Sequence, residues 1–233
     1  MPRTLICMPT YNEAENIRPI IAAIAKVVPE VHVLVIDDNS PDGTGDIADE
    51  LAAADPRIHV LHRKEKAGLG KAYIAGFEWG LDAGYDYIIE MDADFSHQPK
   101  YLPEMIAQLE KYDVVVGSRY VAGGGTEDWG VVRKVISRGG GIYARTILGI
   151  DVQDLTAGFV AWRAGVLRDI DIERVEASGY VFQIEMKYRA YKRGYRLLEI
   201  PIVFPDRTVG VSKMSPNIAA EALWRVWGIR FKK

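Results

Sequence analysis

The chain has 233 residues, a net charge of −3 and a hydrophobic fraction of 48%. That size and apolar content suit one α/β domain with a sizeable core, and the charge balance excludes the basic footprint of bulk nucleic-acid binding. A lone cysteine, Cys7, excludes an internal disulfide; lying in an apolar run, it reads as a buried thiol in a reducing compartment.

Thr4 to Met8 reads as a buried strand stopped by Pro9-Thr10. Asn12-Glu13-Ala14-Glu15 has the spacing of a capping box, with Asn12 as N-cap and Glu15 at N3. Ile17, Ile20, Ile21, Ile24 and Val28 follow at helical spacing. Val31 to Ile36 is a second continuous apolar strand, ending in the polar turn Asp37-Asp38-Asn39-Ser40-Pro41-Asp42-Gly43-Thr44 before a helix over residues 45–54. Ile58 to Leu61 is a third strand, and Gly68-Leu69-Gly70-Lys71 opens the next helix. Tyr87 to Met91 forms a strand that runs into Asp92-Ala93-Asp94, then a helix from Pro99 to Lys111 and the strand Val114-Val115-Val116.

After Arg119 the pattern changes. Gly123-Gly124-Gly125 is a flexible loop, and Val131 to Leu148 is helical in pattern, though Gly139-Gly140-Gly141 weakens it. Phe159 to Arg163 reads as a strand and Tyr180 to Arg193 as a helix; Leu197 to Phe204 is a strand that Pro201 places at an edge. Pro205 to Ser215 is a polar, basic loop. The tail from Asn217 to Phe231 is amphipathic, with Ile218, Leu223, Val226, Trp227 and Phe231 expected on one face. No run of about 18 apolar residues exists, so no membrane span is expected, and no signal peptide is expected at the N-terminus.

Continuous apolar strands alternating with helices predict a mostly parallel sheet covered on both faces, with ligands bound beyond the carboxyl ends of the strands. The polar clusters Pro9–Glu13, Asp37–Asp42, Asp92–Asp94 and Arg119 all fall at such ends. Asp92 and Asp94 lie one residue apart, on the same side of an extended chain. Two hard oxygen donors so placed suit a small divalent cation with positions open to substrate phosphates.

With these residues together, the chain resembles glycosyltransferases of family 2 with the GT-A fold, and most closely the polyprenol-phosphate (dolichol-phosphate) mannose synthases. The resemblance is carried, in order, by Pro9-Thr10-Tyr11-Asn12-Glu13, Asp37-Asp38-Asn39-Ser40, Gly68-Leu69-Gly70, Asp92-Ala93-Asp94-Phe95-Ser96-His97, Gly117-Ser118-Arg119-Tyr120, Arg133-Lys134-Val135-Ile136-Ser137-Arg138-Gly139, Asp154-Leu155-Thr156, Gly179 to Glu185, and Asp206-Arg207 with Lys213. It implies a Rossmann-like GT-A catalytic domain over residues 1–215 and a C-terminal amphipathic helix over 216–233. It also implies an inverting transfer of mannose from GDP-mannose to a polyprenyl phosphate, assisted by Mg²⁺ or Mn²⁺. The expected setting is cytoplasmic, peripheral at the cytoplasmic face of a membrane, with no obligate protein partner.

The resemblance assigns Asp92 and Asp94 to the metal. Ser96 is a weaker third ligand, standing where some relatives carry glutamine. Pro9, Tyr11, Glu13, Ile36, Asp38 and Ala93 fall on the donor side. Arg119, Arg133, Ser137, Arg207 and Lys213 fall on the phosphate side, with Arg119 and Arg133 expected to act in catalysis. A phosphate monoester has a second pKa of about 6, so the acceptor is already largely a dianion and needs no protein base. Related sugar-to-hydroxyl transferases place a basic carboxylate near Gln183 or Glu185; here these two read either as orienting groups or as an ordinary helix face. Asp154 reads as a sugar contact or a loop brace, Lys71 as a phosphate contact or a solvated lysine. His97 suits helix entry or support of the aspartates better than zinc. The tail reads either as membrane-interfacial or as packed on its own domain. A UDP-sugar such as UDP-glucose is the alternative donor, and a non-catalytic nucleotide-sugar binding protein the alternative class. An oxidoreductase would need Gly-x-Gly-x-x-Gly after the first strand, where this chain has Pro9-Thr10-Tyr11-Asn12-Glu13.

Overall fold

A computed structural model describes residues 2–127, 129–175, 179–205 and 216–231. In chain order the elements are β1 (Thr4–Thr10), α1 (Ile17–Val27), β2 (His32–Asp37), α2 (Thr44–Ala54), β3 (Ile58–His62), α3 (Leu69–Asp82), β4 (Tyr87–Glu90), α4 (Leu102–Gln108), β5 (Val114–Ser118), β6 (Gly125–Thr126), α5 (Val131–Leu148), β7 (Val160–Arg163), α6 (Ala164–Asp169), α7 (Tyr180–Lys192), β8 (Leu197–Pro201), β9 (Val203–Phe204) and α8 (Pro216–Phe231). Short 3₁₀ turns precede α4 at Pro99–Tyr101 and α7 at Ile172–Arg174.

Seven strands form the main sheet in the order β3-β2-β1-β4-β7-β5-β8. All neighbours are parallel except at β7, which runs antiparallel to both β4 and β5. The expected mixed α/β architecture, mostly parallel and flanked by helices, is therefore present. β6 and β9 form a small second sheet. The reversal at β7 matters for the site. Val160 pairs with Glu90 and with Val116, so the loop entering β7 lies at the same edge as the carboxyl ends of β4 and β5.

Alternation along the strands divides the core. Ile6, Met8, Val33, Val35 and Ile89 face α1 and α4, where Ile17, Ile20, Ile24, Leu102 and Met105 cover them. Leu5, Cys7, Leu34, Ile36 and Ile88 face α3 and α7, against Tyr73, Phe77, Phe182 and Met186. α3 sits unusually close to the sheet because it presents glycine there. A Cβ on Gly80 would lie 2.8 Å from Leu5 and 2.9 Å from Ile88, and one on Gly76 would fall inside the Ile36 side chain. A third cluster joins α5, α7 and α8 through Ala144, Leu148, Ile184, Tyr188, Val226 and Ile229.

Four sequence expectations change in the structure. The capping box does not form: Asn12 has a left-handed φ of 61° and α1 begins at Ile17. The N–H groups of Asn12, Glu13 and Ala14 donate instead to Ser40, Thr44 and Asp42 of the loop after β2. The strand expected from Leu197 to Phe204 is broken at Ile202 into β8, an edge strand as Pro201 suggests, and β9. Gly139-Gly140-Gly141 does not interrupt α5, which ends at Gly149 in the left-handed conformation. On α8, Val226 and Ile229 are buried, whereas Trp227 and Phe231 are exposed. The neighbouring helices meet α8 on its 226/229 side, and a rotation of about 100° per residue carries 227 and 231 outward. The side chains of Ile218 and Leu223 lie outside the described residues, as do Arg207 and Lys213. Among the described residues, no helix is long and apolar enough to cross a membrane.

Candidate active site

Two loops are laced together at the ends of β1 and β2. The Asp37 carboxylate accepts from the Thr10 hydroxyl (3.0 Å) and from the backbone N–H (3.0 Å) and hydroxyl (2.6 Å) of Ser40. The Thr44 hydroxyl donates to Asp42 (2.6 Å) and accepts the Glu13 N–H (2.9 Å). Asp37 and Asp42 thus brace the turn, as turn aspartates do. Beside them Asp38 is buried and paired with Arg63 at 2.7 Å. Burial raises its carboxyl above the ordinary range, and Arg63 only partly offsets this. Lys66 sits 3.7 Å over the Tyr11 ring, and the Glu13 carboxylate accepts from the Asn16 side chain at 2.8 Å. The rim of this end is therefore an aromatic face with acidic and basic groups around it.

Beyond β4 the chain turns sharply, with Phe95 at a positive φ of 61°. A bulky residue in that region costs on the order of 1–3 kcal/mol and persists only where the surroundings hold it. Here the Ser96 N–H donates to Asp94 Oδ1 (3.0 Å), the Asp92 N–H donates to His97 Nδ1 (2.9 Å), and the Tyr73 hydroxyl donates to Asp92 Oδ1 (3.1 Å). His97 is buried, stacked on Phe159 at 4.9 Å. Its Nδ1 lone pair is used by the backbone, so it fixes the loop. The Ser96 hydroxyl is buried and makes no hydrogen bond among the described residues. Two carboxylates and a hydroxyl are hard oxygen donors, and they fit Mg²⁺ or Mn²⁺ in preference to a thiophilic metal.

Facing this loop across β7 is the end of β5. Arg119 is buried, and its Nε and Nη2 form a bidentate pair with Asp154, both at 2.7 Å; Nη2 also reaches Thr156 at 2.8 Å. Burial alone would raise the Asp154 carboxyl, but the Arg119 guanidinium outweighs it and holds it below the ordinary range. Asp154 is therefore a brace, with its carboxylate committed to Arg119. Gly124 must be glycine: a Cβ there would lie 2.6 Å from the Ser118 carbonyl oxygen. Arg133, at the start of α5, lays its guanidinium 3.8 Å above the Trp129 ring, and the Tyr120 hydroxyl donates to Ser137 at 2.6 Å.

Under the floor lies a buried polar group that the sequence reading did not single out. Glu90, fully buried at the end of β4, accepts from Trp162 Nε1 (2.8 Å) and from the Gln183 amide. Burial raises its pKa to about 7, against the opposing pull of Lys187. Lys187, also fully buried, donates to the carbonyl oxygens of Ala157 (2.6 Å) and Leu155 (3.2 Å) and to Gln183 Oε1 (3.2 Å). Burial lowers its pKa to about 8. The pair ties α7 and β4 to the loop carrying Asp154. Its trace in the sequence is Glu90 itself, a charge on an otherwise apolar strand, alternating with Asp92 and Asp94.

Two expected site residues, Ile36 and Ala93, and the pair Gln183 and Glu185 sit differently from a direct role at the ligand. The Ile36 side chain is fully buried against Cys7 and α3, so only its backbone faces the ligand side. Ala93 turns its methyl into the core. Gln183 is committed to Glu90, and Glu185 is paired with Arg189 at 2.6 Å on α7.

The model for glycosyl transferase family 2 matches residues 5–171. The chain belongs to that family. This glycosyltransferase is 50% identical over 229 residues to an undecaprenyl-phosphate mannosyltransferase of Micrococcus luteus, covering 97% of this chain and 94% of the relative. It is 49% identical over 232 residues to a polyprenol monophosphomannose synthase of Mycolicibacterium smegmatis, covering 98% and 88%. Among solved structures, the glucosyl-3-phosphoglycerate synthase of Mycobacterium tuberculosis, in complex with Mn²⁺, UDP and glucosyl-3-phosphoglycerate, is similar with a TM-score of 0.68 at 18% identity, covering 98% of this chain and 78% of that one. A mannosyltransferase of Pyrobaculum calidifontis in complex with GDP-Man and Mn²⁺ is similar with a TM-score of 0.60 at 15% identity, covering 99% and 70%. These two place the glycosyltransferase among GT-A-like folds.

Proposed function

We propose that this glycosyltransferase moves mannose from GDP-mannose to a polyprenyl phosphate, giving β-mannosyl phosphopolyprenol and GDP. The observation that carries the reading is the near-full-length identity, at about half of all positions, to two enzymes named for mannose transfer to polyprenyl phosphates. The site is suited to it. Tyr11, Glu13 and Asp38 line the end where the nucleotide would lie. Asp92 and Asp94, with Ser96 beside them, would hold Mg²⁺ or Mn²⁺. The ion would neutralise charge on the departing diphosphate as a Lewis acid. Arg119 and Arg133 stand on the other side, where guanidinium groups would hold the acceptor phosphate against its like-charged donor.

The nucleophile is a phosphate oxygen, ionised before it arrives. It attacks the anomeric carbon from the face opposite the leaving GDP and inverts that centre. The commitment of Glu185 to Arg189 supports a route without a protein base. Asp154 keeps Arg119 in place, and Lys187 keeps the Asp154 loop in place.

The prenyl chain stays in lipid, so the protein meets a membrane surface. Val131, Val135, Ile136 and Ile142 of α5 and Trp224, Trp227 and Phe231 of α8 are exposed apolar side chains, interspersed with exposed Lys134, Arg138 and Arg225. Such a surface suits the interface of an anionic bilayer. The reading is tested with purified protein, Mg²⁺ or Mn²⁺, polyprenyl phosphate and either labelled GDP-mannose or UDP-glucose. Mannosylated lipid from GDP-mannose is expected. Absence of lipid product, or preference for UDP-glucose, overturns it.

A further inference from the structure

Trp129 lies just before α5 and is 7% exposed. Its ring stands edge-on to Phe204 at 5.7 Å. The Arg133 guanidinium is stacked 3.8 Å above it, and that of Arg119 lies 5.5 Å from its centroid. Among the described residues its indole N–H is buried without a hydrogen-bond partner, a condition that only the Ser96 hydroxyl shares there. An indole nitrogen can only donate. Left unmade in a buried place, such a bond is a standing cost of the folded state, and native structures keep few of them. The Arg119 charge is answered by Asp154, but the ring also carries Arg133, which the proposed function sets against the acceptor phosphate, so a phosphate oxygen is the acceptor at hand for this donor.

We infer that Trp129 is a substrate-binding residue whose Nε1–H donates to an oxygen of the acceptor's phosphate monoester. Its ring at the same time carries Arg133 to that phosphate. This rests on the proposed function, and it adds a neutral nitrogen donor to a site otherwise read from cations and the Ser137 hydroxyl. The indole has two separable parts: the face, which stacks under Arg133, and the N–H, which binds. Phenylalanine keeps a face and removes the donor.

The test uses the full chain with ¹⁵N-labelled tryptophan indoles, and the spectrum of Trp129→Phe assigns the Trp129 signal by its loss. Farnesyl phosphate, a short phosphate monoester, is added with Mg²⁺, and GDP with Mg²⁺ in a parallel sample. The Trp129 N–H signal is expected to move downfield and exchange more slowly with farnesyl phosphate, and to stay in place with GDP alone. In kinetics, Trp129→Phe raises the KM for the prenyl phosphate about ten- to 150-fold, the span of one hydrogen bond to a charged group, with the KM for GDP-mannose within twofold. A signal that ignores farnesyl phosphate, or moves with GDP alone, overturns the inference, as does an unchanged acceptor KM. If the parent moves no mannose to lipid yet its Trp129 signal answers farnesyl phosphate, the function falls and the phosphate site stands. If the parent is active and the signal is silent, the inference alone falls.

Discussion

Replacing Asp94 with alanine removes one of two carboxylates at the turn after β4 and frees the Ser96 N–H that it anchors. Loss of a divalent ion from a leaving diphosphate removes several kcal/mol of charge stabilisation. Asp94→Ala is therefore expected to lower kcat at least about a thousandfold with unchanged far-ultraviolet dichroism; near-parental turnover in defined Mg²⁺ or Mn²⁺ would sink the assignment. At this scale the sequence was informative about polar residues at strand ends and blind to those inside the core. Asp92 and Asp94 announce themselves by ending an apolar run. Glu90 belongs to the same alternation, but a charge inside a strand carries no role until Trp162, Gln183 and Lys187, distant in sequence, are seen to surround it. Arg119 was visible as a strand-end cation, whereas its commitment to Asp154, 35 residues later, was not.

Among the elements, α8 shows how a periodic pattern can misplace a face. Its apolar residues wrap more than one side, and only contact with α5 and α7 decides which are buried. Val226 and Ile229 fasten the helix, each worth about 1.5–3 kcal/mol if fully removed from water. Trp227 remains half-exposed and donates from its indole to the Tyr143 hydroxyl at 2.9 Å, while Trp224 and Phe231 are largely bare. A double Trp224→Ala/Phe231→Ala variant is expected to keep its melting temperature and to bind phosphatidylglycerol vesicles at least about tenfold more weakly. Its activity should fall with polyprenyl phosphate in those vesicles and hold with farnesyl phosphate in solution. Unchanged vesicle binding in a co-sedimentation assay would remove this face from the proposed interface. The absent capping box has a similar cause. Asn12 and Glu15 are spaced to cap a helix, but Ser40, Thr44 and Asp42 accept the N–H groups of Asn12, Glu13 and Ala14 and hold the segment as a loop instead.

For the molecule as a whole, the opposite end of the sheet governs a pH response. His32 Nδ1 and His59 Nε2 lie 3.0 Å apart, with the Tyr85 hydroxyl 2.9 Å from the first and 3.2 Å from the second. Burial lowers both pKa values below the ordinary 6.5; Arg3 and Arg57 add to this at His32, and His32 and Arg3 at His59. The unfolded chain therefore binds these protons first, so the pair destabilises the fold increasingly as pH falls below about 6.5. Glu90, raised by burial to about 7, acts with the opposite sign over the same range, because its protonated form belongs to the folded state. The comparison must isolate the histidines. Between pH 7 and 5 the parent is expected to lose several degrees more in melting temperature than a His32→Asn/His59→Asn double variant, as scanning calorimetry would measure. Equal slopes would contradict the shifted pair. The broad architecture was legible because continuous apolar strands alternating with helices admit few arrangements. The order of the strands was not, since nothing local in Val160 to Arg163 says that it runs backwards between β4 and β5.

That reversed strand has a consequence for how the protein comes into being. The strands β1 to β4 can pair with one another as soon as they are made, and with them the laced loops at the ends of β1 and β2 can close. β5 is made soon afterwards but has no neighbour in the sheet until β7 and then β8 emerge, some 40 and 80 residues later by their ranges. A ribosome synthesising this chain therefore carries a finished half-sheet beside a waiting strand. Arg119, at the tip of that strand, meets Asp154 only in the last third of synthesis, so the loops after β1, β2 and β4 can be in place before the braced guanidinium that faces them.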